Sequence, residues 1–263
     1  MEDKRKVFCI GLGKTGTTTF KHCSRILRLR HKTGPIVLGL AGLSLGHTAK
    51  RQAEERLIGV AQHYDAFGDY PWPYLYETLS AAFPNALFVM TRRSSVEKWY
   101  ISLCRHYDRT GPTEAKRLAY GYYSPYDNPH AHKQLYEEHL ASARDYFCGS
   151  NHYKEFCWEN GDGWPELCNF LEMPQPELPF PHANANAGRR DSESLTWLLR
   201  HHKYAHAVSF VEQAGSDPDQ CKQILEKHIC AEIDALVPSS GNTESIFRRL
   251  MHRVRRAEDA GDV

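Results

Sequence analysis

The chain has 263 residues, with 33 lysines and arginines against 32 aspartates and glutamates and 41% hydrophobic content. That length can bury a substantial core, and an α/β protein of this size is commonly one domain. A formal charge of +1 excludes bulk attraction to nucleic acid or to an acidic membrane, so any anion site must be local.

The N-terminus, Met1-Glu2-Asp3-Lys4, has no hydrophobic signal core, and the eight cysteines form no C-x-x-C pair. Together these predict reduced thiols in a cytoplasmic protein. From Val7 to Phe20 the sequence reads VFCIGLGKTGTTTF. Val7 to Ile10 suit a buried strand, Gly11 and Gly13 permit a turn, and Thr17 opens a helix running through Phe20, Ile26 and Leu27. Free backbone N–H groups and the positive helix end then face whatever sits over the loop, and Lys14 and the threonine hydroxyls add charge and donors.

Three phosphate-loop readings compete here. The Walker A pattern needs its lysine after the last glycine, but Lys14 precedes Gly16, which disfavours an ATP or GTP hydrolase. Gly11, Gly13 and Gly16 fit the dinucleotide pattern G-x-G-x-x-G, which expects an acidic residue about twenty positions on. None lies between Asp3 and Glu54. Third, GKTGTTT resembles the loop with which sulfotransferases hold the 5′-phosphosulfate of 3′-phosphoadenosine 5′-phosphosulfate (PAPS).

Lys21 to Arg30 continues the first helix with Arg25, Arg28 and Arg30 on a solvated face, and Lys32 to Pro35 ends it. Ile36 to Leu45 fits a short strand, a tight helix or a buried loop. Thr48 to His63 has the period of an amphipathic helix and leads into Tyr64 to Pro71, a short strand or turn stopped by proline. A helix over Tyr74 to Ala82 is broken at Phe83-Pro84-Asn85 before Ala86 to Met90, an apolar run suited to an interior parallel strand. Arg92 and Arg93 follow, then a helix with Ser94 or Ser95 as N-cap, which places two arginines where open α/β sheets bind ligands.

The segment FPNALFVMTRRSSVEKWYISL resembles the sulfotransferase stretch that binds the 3′-phosphate, in the branch of that family, found in bacteria and some invertebrates, with the pattern FPxAKFILTxRDPxxWxxS. Arg93 takes the place of the family arginine and Ser102 that of its serine. Ser94-Ser95-Val96 stands where the family has Asp-Pro, with one extra residue before Trp99; Arg92 is thus the alternative to Arg93, which has the better strand register. Tyr107 to Tyr126 is read as a helix and loop near the substrate side, and Lys133 to Phe147 as a helix. His130 with His132, and His202 with His206, lack a third ligand and read as surface histidines rather than a zinc site. Glu155 to Trp158 is a short strand leading to the turn Asn160 to Gly163 and a helix carrying Trp164, Leu167 and Leu171. FCWENGDGWPELCNFLEMPQPELPFPHAN resembles the same branch's GDGWxxLCxFLxxPxPxxPFPHxN, with His182 and Asn184 either facing the cofactor or structural.

Ala185 to Asp191 reads as a linker, and Ser192 to Gln213, Asp217 to Leu236 and Thr243 to Glu258 as helices, the last with a basic run, Arg248 to Arg256, on a solvated face. The expectation is a single domain over 1–263, with a motif-bearing core, 1–184, and a C-terminal helical extension, 185–263, packing on it. This tail would serve as a lid, as packing on the sheet, or as an oligomerisation element making a homodimer.

The resemblance implies a three-layer α/β/α fold with a central parallel sheet, of the P-loop NTPase-like sulfotransferase type. It implies PAPS as sulfuryl donor, 3′-phosphoadenosine 5′-phosphate (PAP) as product, no metal, and a small-molecule acceptor rather than nucleic acid or membrane. Lys14 would serve the leaving group, Thr15, Gly16, Thr17, Thr18 and Thr19 would hold the phosphosulfate, and Arg93 and Ser102 the 3′-phosphate. Asp69, in Gly68-Asp69-Tyr70-Pro71, stands where this branch has its Thr-Asp-x-Pro base; the other reading is a turn-capping aspartate. A nucleotide-binding protein of the same fold without transfer activity, and an NAD(P) oxidoreductase, are the alternatives.

Overall fold

A computed structural model describes residues 5–44, 46–181, 199 and 218–236. The first strand, β1 (Val7–Cys9), is fully buried and lies at the middle of a five-stranded parallel sheet of order β2-β3-β1-β4-β5. The other strands are β2 (His31–Thr33), β3 (Ala66–Gly68), β4 (Leu87–Thr91) and β5 (Tyr153–Phe156). Because side chains alternate across a sheet, Val7 and Cys9 face one layer and Phe8 the other. On the first side Val7, Cys9, Leu87, Val89 and Phe156 pack with Phe20 and Cys23 of α1 (Thr17–Ile26) and with Trp164, Leu167 and Leu171 of α8 (Trp164–Leu171). On the second, Phe8 stacks on Phe67 at 4.5 Å and Phe88 at 5.6 Å, its register partners in β3 and β4. Trp72, in a 3₁₀ turn, and Phe147, which ends α7 (Pro129–Tyr146), extend that aromatic row. Such ring pairs add about 0.5–1.5 kcal/mol each beyond the apolar area they bury. The result is the expected three-layer α/β/α fold with a parallel sheet.

Between these lie α2 (Ile36–Leu43), which settles the open reading of that segment as a helix, α3 (His47–Gln62), α4 (Tyr76–Ala82), α5 (Val96–Thr110) and α6 (Glu114–Tyr120). Ser95 caps α5, its hydroxyl accepting the Lys98 N–H at 3.2 Å. Three boundaries differ from expectation. The first helix ends at Ile26 rather than Arg30: Arg28 takes a left-handed φ of 57°, and the chain turns back into an edge strand, β2. The carboxylate of Asp65 fixes that entry by accepting from the Arg30 backbone N–H at 2.9 Å and from its Nε at 3.0 Å. Pairing with β3 thus overrides the polar composition of His31-Lys32-Thr33. α7, capped by Asn128, begins at Pro129, four residues before its expected start at Lys133, and β5 begins at Tyr153 rather than Glu155. His132 is not a surface residue: it is 1% exposed, and its Nδ1 donates to the Asn128 carbonyl at 2.8 Å.

The chain divides into two compact units, 1–185 and 186–263. In the second, α9 (Pro218–Leu236) matches the helix expected there. Leu45, His182, Asn184, the linker to Asp191, the helix over Ser192 to Gln213 apart from Leu199, the His202 and His206 pair, and the final helix with its basic run lie outside the described residues. Among the described residues no helix is long and apolar enough to cross a membrane.

Candidate active site

The carboxyl ends of three neighbouring strands build the site. β1 delivers the glycine loop, β3 delivers Asp69 and β4 delivers Arg92 and Arg93; β1 is flanked on one side by β3 and on the other by β4. That is where a doubly wound sheet opens a crevice for ligands.

Side chains from all around hold the loop's carbonyl oxygens. Trp99 Nε1 donates to the Gly13 carbonyl at 2.9 Å, Trp158 Nε1 to Gly16 at 3.3 Å and His139 Nε2 to Ile10 at 2.7 Å. With its carbonyls tied back, the loop can present its amides forward. Gly16, the N-cap of α1, has φ 104°, and a Cβ there would lie 2.3 Å from Trp158 Cδ1, so both conformation and space require glycine. No side chain caps the first turn of α1, and no acidic residue sits in it. The N–H groups of Thr17 and Thr18, at the start of the helix, carry the positive end of its dipole toward the cleft.

The cleft, about 610 Å³, is lined by Lys14, Gly16, Thr17 and Thr18 from the loop, Asp69 and Tyr70 after β3, Arg93 after β4, and Ser102 and His106 on α5. It thus brings together Lys14, Gly16, Thr17, Thr18, Asp69, Arg93 and Ser102. It does not include Thr15 or Thr19. Thr15 is 2% exposed, and its hydroxyl donates to the Leu12 carbonyl at 2.6 Å and lies 2.7 Å from Thr91 Oγ1, so it locks the loop to β4. Thr19 is likewise buried, on the helix face that meets the sheet.

At the strand-end pair, Arg92 and Arg93 diverge. Arg92 ion-pairs with Glu155 at 2.9 Å and does not line the cleft. Arg93 lines it, pairs through Nη2 with Glu159, and its buried Nε has no hydrogen-bond partner among the described residues. Glu159 also accepts from the Ser94 N–H at 3.1 Å and from its hydroxyl at 2.6 Å.

Asp69 has φ 67°, and its Oδ1 accepts the Tyr70 N–H at 2.9 Å. Burial raises its pKa above the ordinary carboxylate value, against the lowering effects of the Tyr70 N–H, Lys21 and Lys14. Burial also lowers the pKa of Lys14, helped by the charges of Arg109 and Arg93. His106 is pushed down to about 4 by burial and by Lys14, Lys116 and Arg109, so its imidazole is neutral at physiological pH. The Tyr70 hydroxyl accepts the Gly13 N–H at 3.3 Å, and a Cβ on Gly13 would lie 2.9 Å from the Tyr120 hydroxyl, so two tyrosines back the loop.

Beyond the expected residues the cleft holds Tyr70, Tyr120, Arg109 and Lys116. A sequence signal existed for part of this: Ser102, His106 and Arg109 stand at i, i+4 and i+7, one face of a helix. For Lys116 and Tyr120, in a segment without clear periodicity, no such signal existed. Among the described residues no cluster of His, Cys, Asp and Glu could hold a metal ion.

Comparison with known proteins agrees with this architecture. The protein named Ava biosynthesis cluster protein M, from Aspergillus versicolor, is 24% identical over 229 residues, 73% of this chain and 86% of that protein. The sulfotransferase domain family matches residues 6–126 and 109–189, spanning the loop, the strand-end arginines and the Trp164 helix. The cleft at the end of this parallel sheet therefore sits in a chain that belongs to the sulfotransferase domain family.

Proposed function

We propose that the protein transfers a sulfuryl group from PAPS to a hydroxyl or amine of a small metabolite. One observation carries the reading: an uncapped helix start, a lysine without a carboxylate partner among the described residues, a strand-end arginine and a buried carboxylate line one cleft. The residues fit the cofactor. The first-turn amides of α1 with Thr17 and Thr18 suit the 5′-phosphosulfate, and Arg93 with Ser102 suits the 3′-phosphate. When bound, PAPS supplies an electrophilic sulfur whose bridging oxygen gains charge as it leaves. Lys14 places a positive charge in the cleft beside the loop and so stabilises that charge. Asp69, with a pKa raised by burial, accepts the acceptor's proton. Tyr70, whose hydroxyl accepts the Gly13 N–H, braces the loop beside Asp69. The similarity to a protein named for a biosynthesis cluster supports a small-metabolite acceptor.

Two other readings fare less well. An NAD(P) enzyme needs an acid at the end of the second strand, whereas β2 ends in Thr33, followed by Gly34-Pro35. A binder without transfer activity shares the cleft but leaves Asp69 only its turn hydrogen bond to the Tyr70 N–H. The test is incubation of the protein with PAPS and a panel of phenols, alcohols and amines, followed by mass spectrometry. Sulfated product formed together with equimolar PAP supports the reading; PAP binding without product from any acceptor supports the binder.

A further inference from the structure

Two cations in the cleft have no part in the scheme above. Arg109 lies on the last turn of α5 and Lys116 on α6, and both line the cleft. Lys116 is only 8% exposed, and its Nζ meets neutral partners: the Thr110 hydroxyl at 2.7 Å, the Gly111 carbonyl and the face of the Tyr107 ring at 5.0 Å. Arg109 Nη2 lies 3.1 Å from His106 Nδ1. Because His106 is neutral, that nitrogen accepts, and the imidazole steadies the guanidinium without neutralising it. Several other cations of the described residues, Arg30, Arg92, Arg93, Arg144 and Lys133, each pair with a carboxylate. Among the described residues none pairs with Arg109 or Lys116. A buried ammonium without a counter-ion is costly, and its pKa is lowered by burial as expected.

Their position separates them from the groups assigned to the 3′-phosphate. Ser102 and Arg109 are seven residues apart on one helix, about 10 Å along its axis. Arg93 stands just before the first turn of α5 and Arg109 on its last turn, with Lys116 following on α6, while Lys14 lies near enough to both arginines for their charges to lower its pKa.

Resting on the sulfotransferase reading, we propose that Arg109 and Lys116 form the acceptor subsite's anion-recognition corner, so that the acceptor is a hydroxyl- or amine-bearing metabolite that also carries a carboxylate. The planar guanidinium fork matches a carboxylate's two oxygens, and Lys116 adds a second charge from α6. A carboxylate there would also supply the counter-ion that the fold leaves out.

The test uses the full chain saturated with PAP and calorimetric titration of paired probes, each a hydroxy acid and its neutral amide, such as 3-(4-hydroxyphenyl)propanoate and 3-(4-hydroxyphenyl)propanamide, with aliphatic hydroxy acids and amino acids as further pairs. At least one acid should bind about tenfold or more tightly than its amide. Arg109→Gln should reduce that ratio to near one while the PAP Kd stays unchanged. Lys116→Met should do the same; if it lowers the melting temperature, Arg109→Gln, at an exposed position, still decides the matter. An amide binding as well as its acid overturns the proposal, as does a phosphomonoester analogue outcompeting every acid. An Arg109→Gln effect on PAP instead of the acids, or no acid binding while PAP binds normally, also overturns it. Failure of PAP itself to bind would strike the sulfotransferase reading, a distinguishable outcome.

Discussion

Replacing Arg93 with alanine removes the one strand-end arginine that faces the cleft, and the structure sets the size of the effect. Arg93 is half-buried and lies against Glu159. A charge-assisted hydrogen bond to phosphate contributes about 1.5–3 kcal/mol, roughly 10- to 100-fold in Kd. Glu159 stays behind in Arg93→Ala, still held by the Ser94 N–H and hydroxyl, so the fold should survive. Its uncompensated carboxylate then adds repulsion against the 3′-phosphate, so the loss should lie toward the upper end of that range. Pairing Arg93→Ala with Glu159→Gln should return part of it. Calorimetric titration of PAP and of adenosine 5′-monophosphate separates a 3′-phosphate contact from a general effect: PAP should weaken and the monophosphate hardly change. Arg92→Ala should leave both alone, because Arg92 is turned away to Glu155. Equal weakening of both ligands by Arg93→Ala, or selective loss of PAP in Arg92→Ala, would refute the reasoning.

Lys14→Ala should lower turnover by about 3 kcal/mol of transition-state stabilisation, roughly 100-fold, while PAP affinity measured by titration falls much less, since the helix amides remain. Asp69→Asn should lower turnover by roughly 10²- to 10⁴-fold. Because burial raises the folded-state pKa of Asp69, stability on its account is greatest at low pH and lost as pH rises through that value; at neutral pH the asparagine variant should therefore melt no lower than wild type. A normal rate in Asp69→Asn would leave the site without a base. The same shift predicts that the acid limb of the kcat/KM profile, where protonated Asp69 is inactive, lies above the usual carboxylate range; with His106 near 4, no separate limb should appear near pH 6.5. Gly16→Ala combines a left-handed φ with a clash against Trp158 and should lower stability by about 1–3 kcal/mol in thermal melts.

Where local chemistry decided the structure, the sequence showed it. The Val7 strand, the uncapped glycine–threonine turn, the serine cap of the arginine-led helix and the break at Phe83-Pro84-Asn85 depend on neighbouring residues, and they stand where expected. Where distant partners decided, local reading failed. β2 is a strand because Asp65, thirty-five positions away, grips Arg30 and because β3 offers it an edge. Thr15 is one of four similar threonines in the sequence, and its burial, with the hydroxyl on the Leu12 carbonyl and against Thr91, comes with the packing of the loop on β4. His132 became a core residue through helix packing that no spacing rule announces. The choice between Arg92 and Arg93 likewise needed Glu155 and Glu159, which arrive on the far strand and its turn.

The central claim, that this cleft is built for PAPS, is most directly tested by calorimetric titration of the full chain with PAP, NAD⁺ and ATP under one set of conditions. The account predicts saturable binding of one PAP per chain, weakened when the 3′-phosphate is absent, with NAD⁺ and ATP much weaker. NAD⁺ or ATP binding more tightly than PAP, or no binding of PAP by a folded chain, would contradict it.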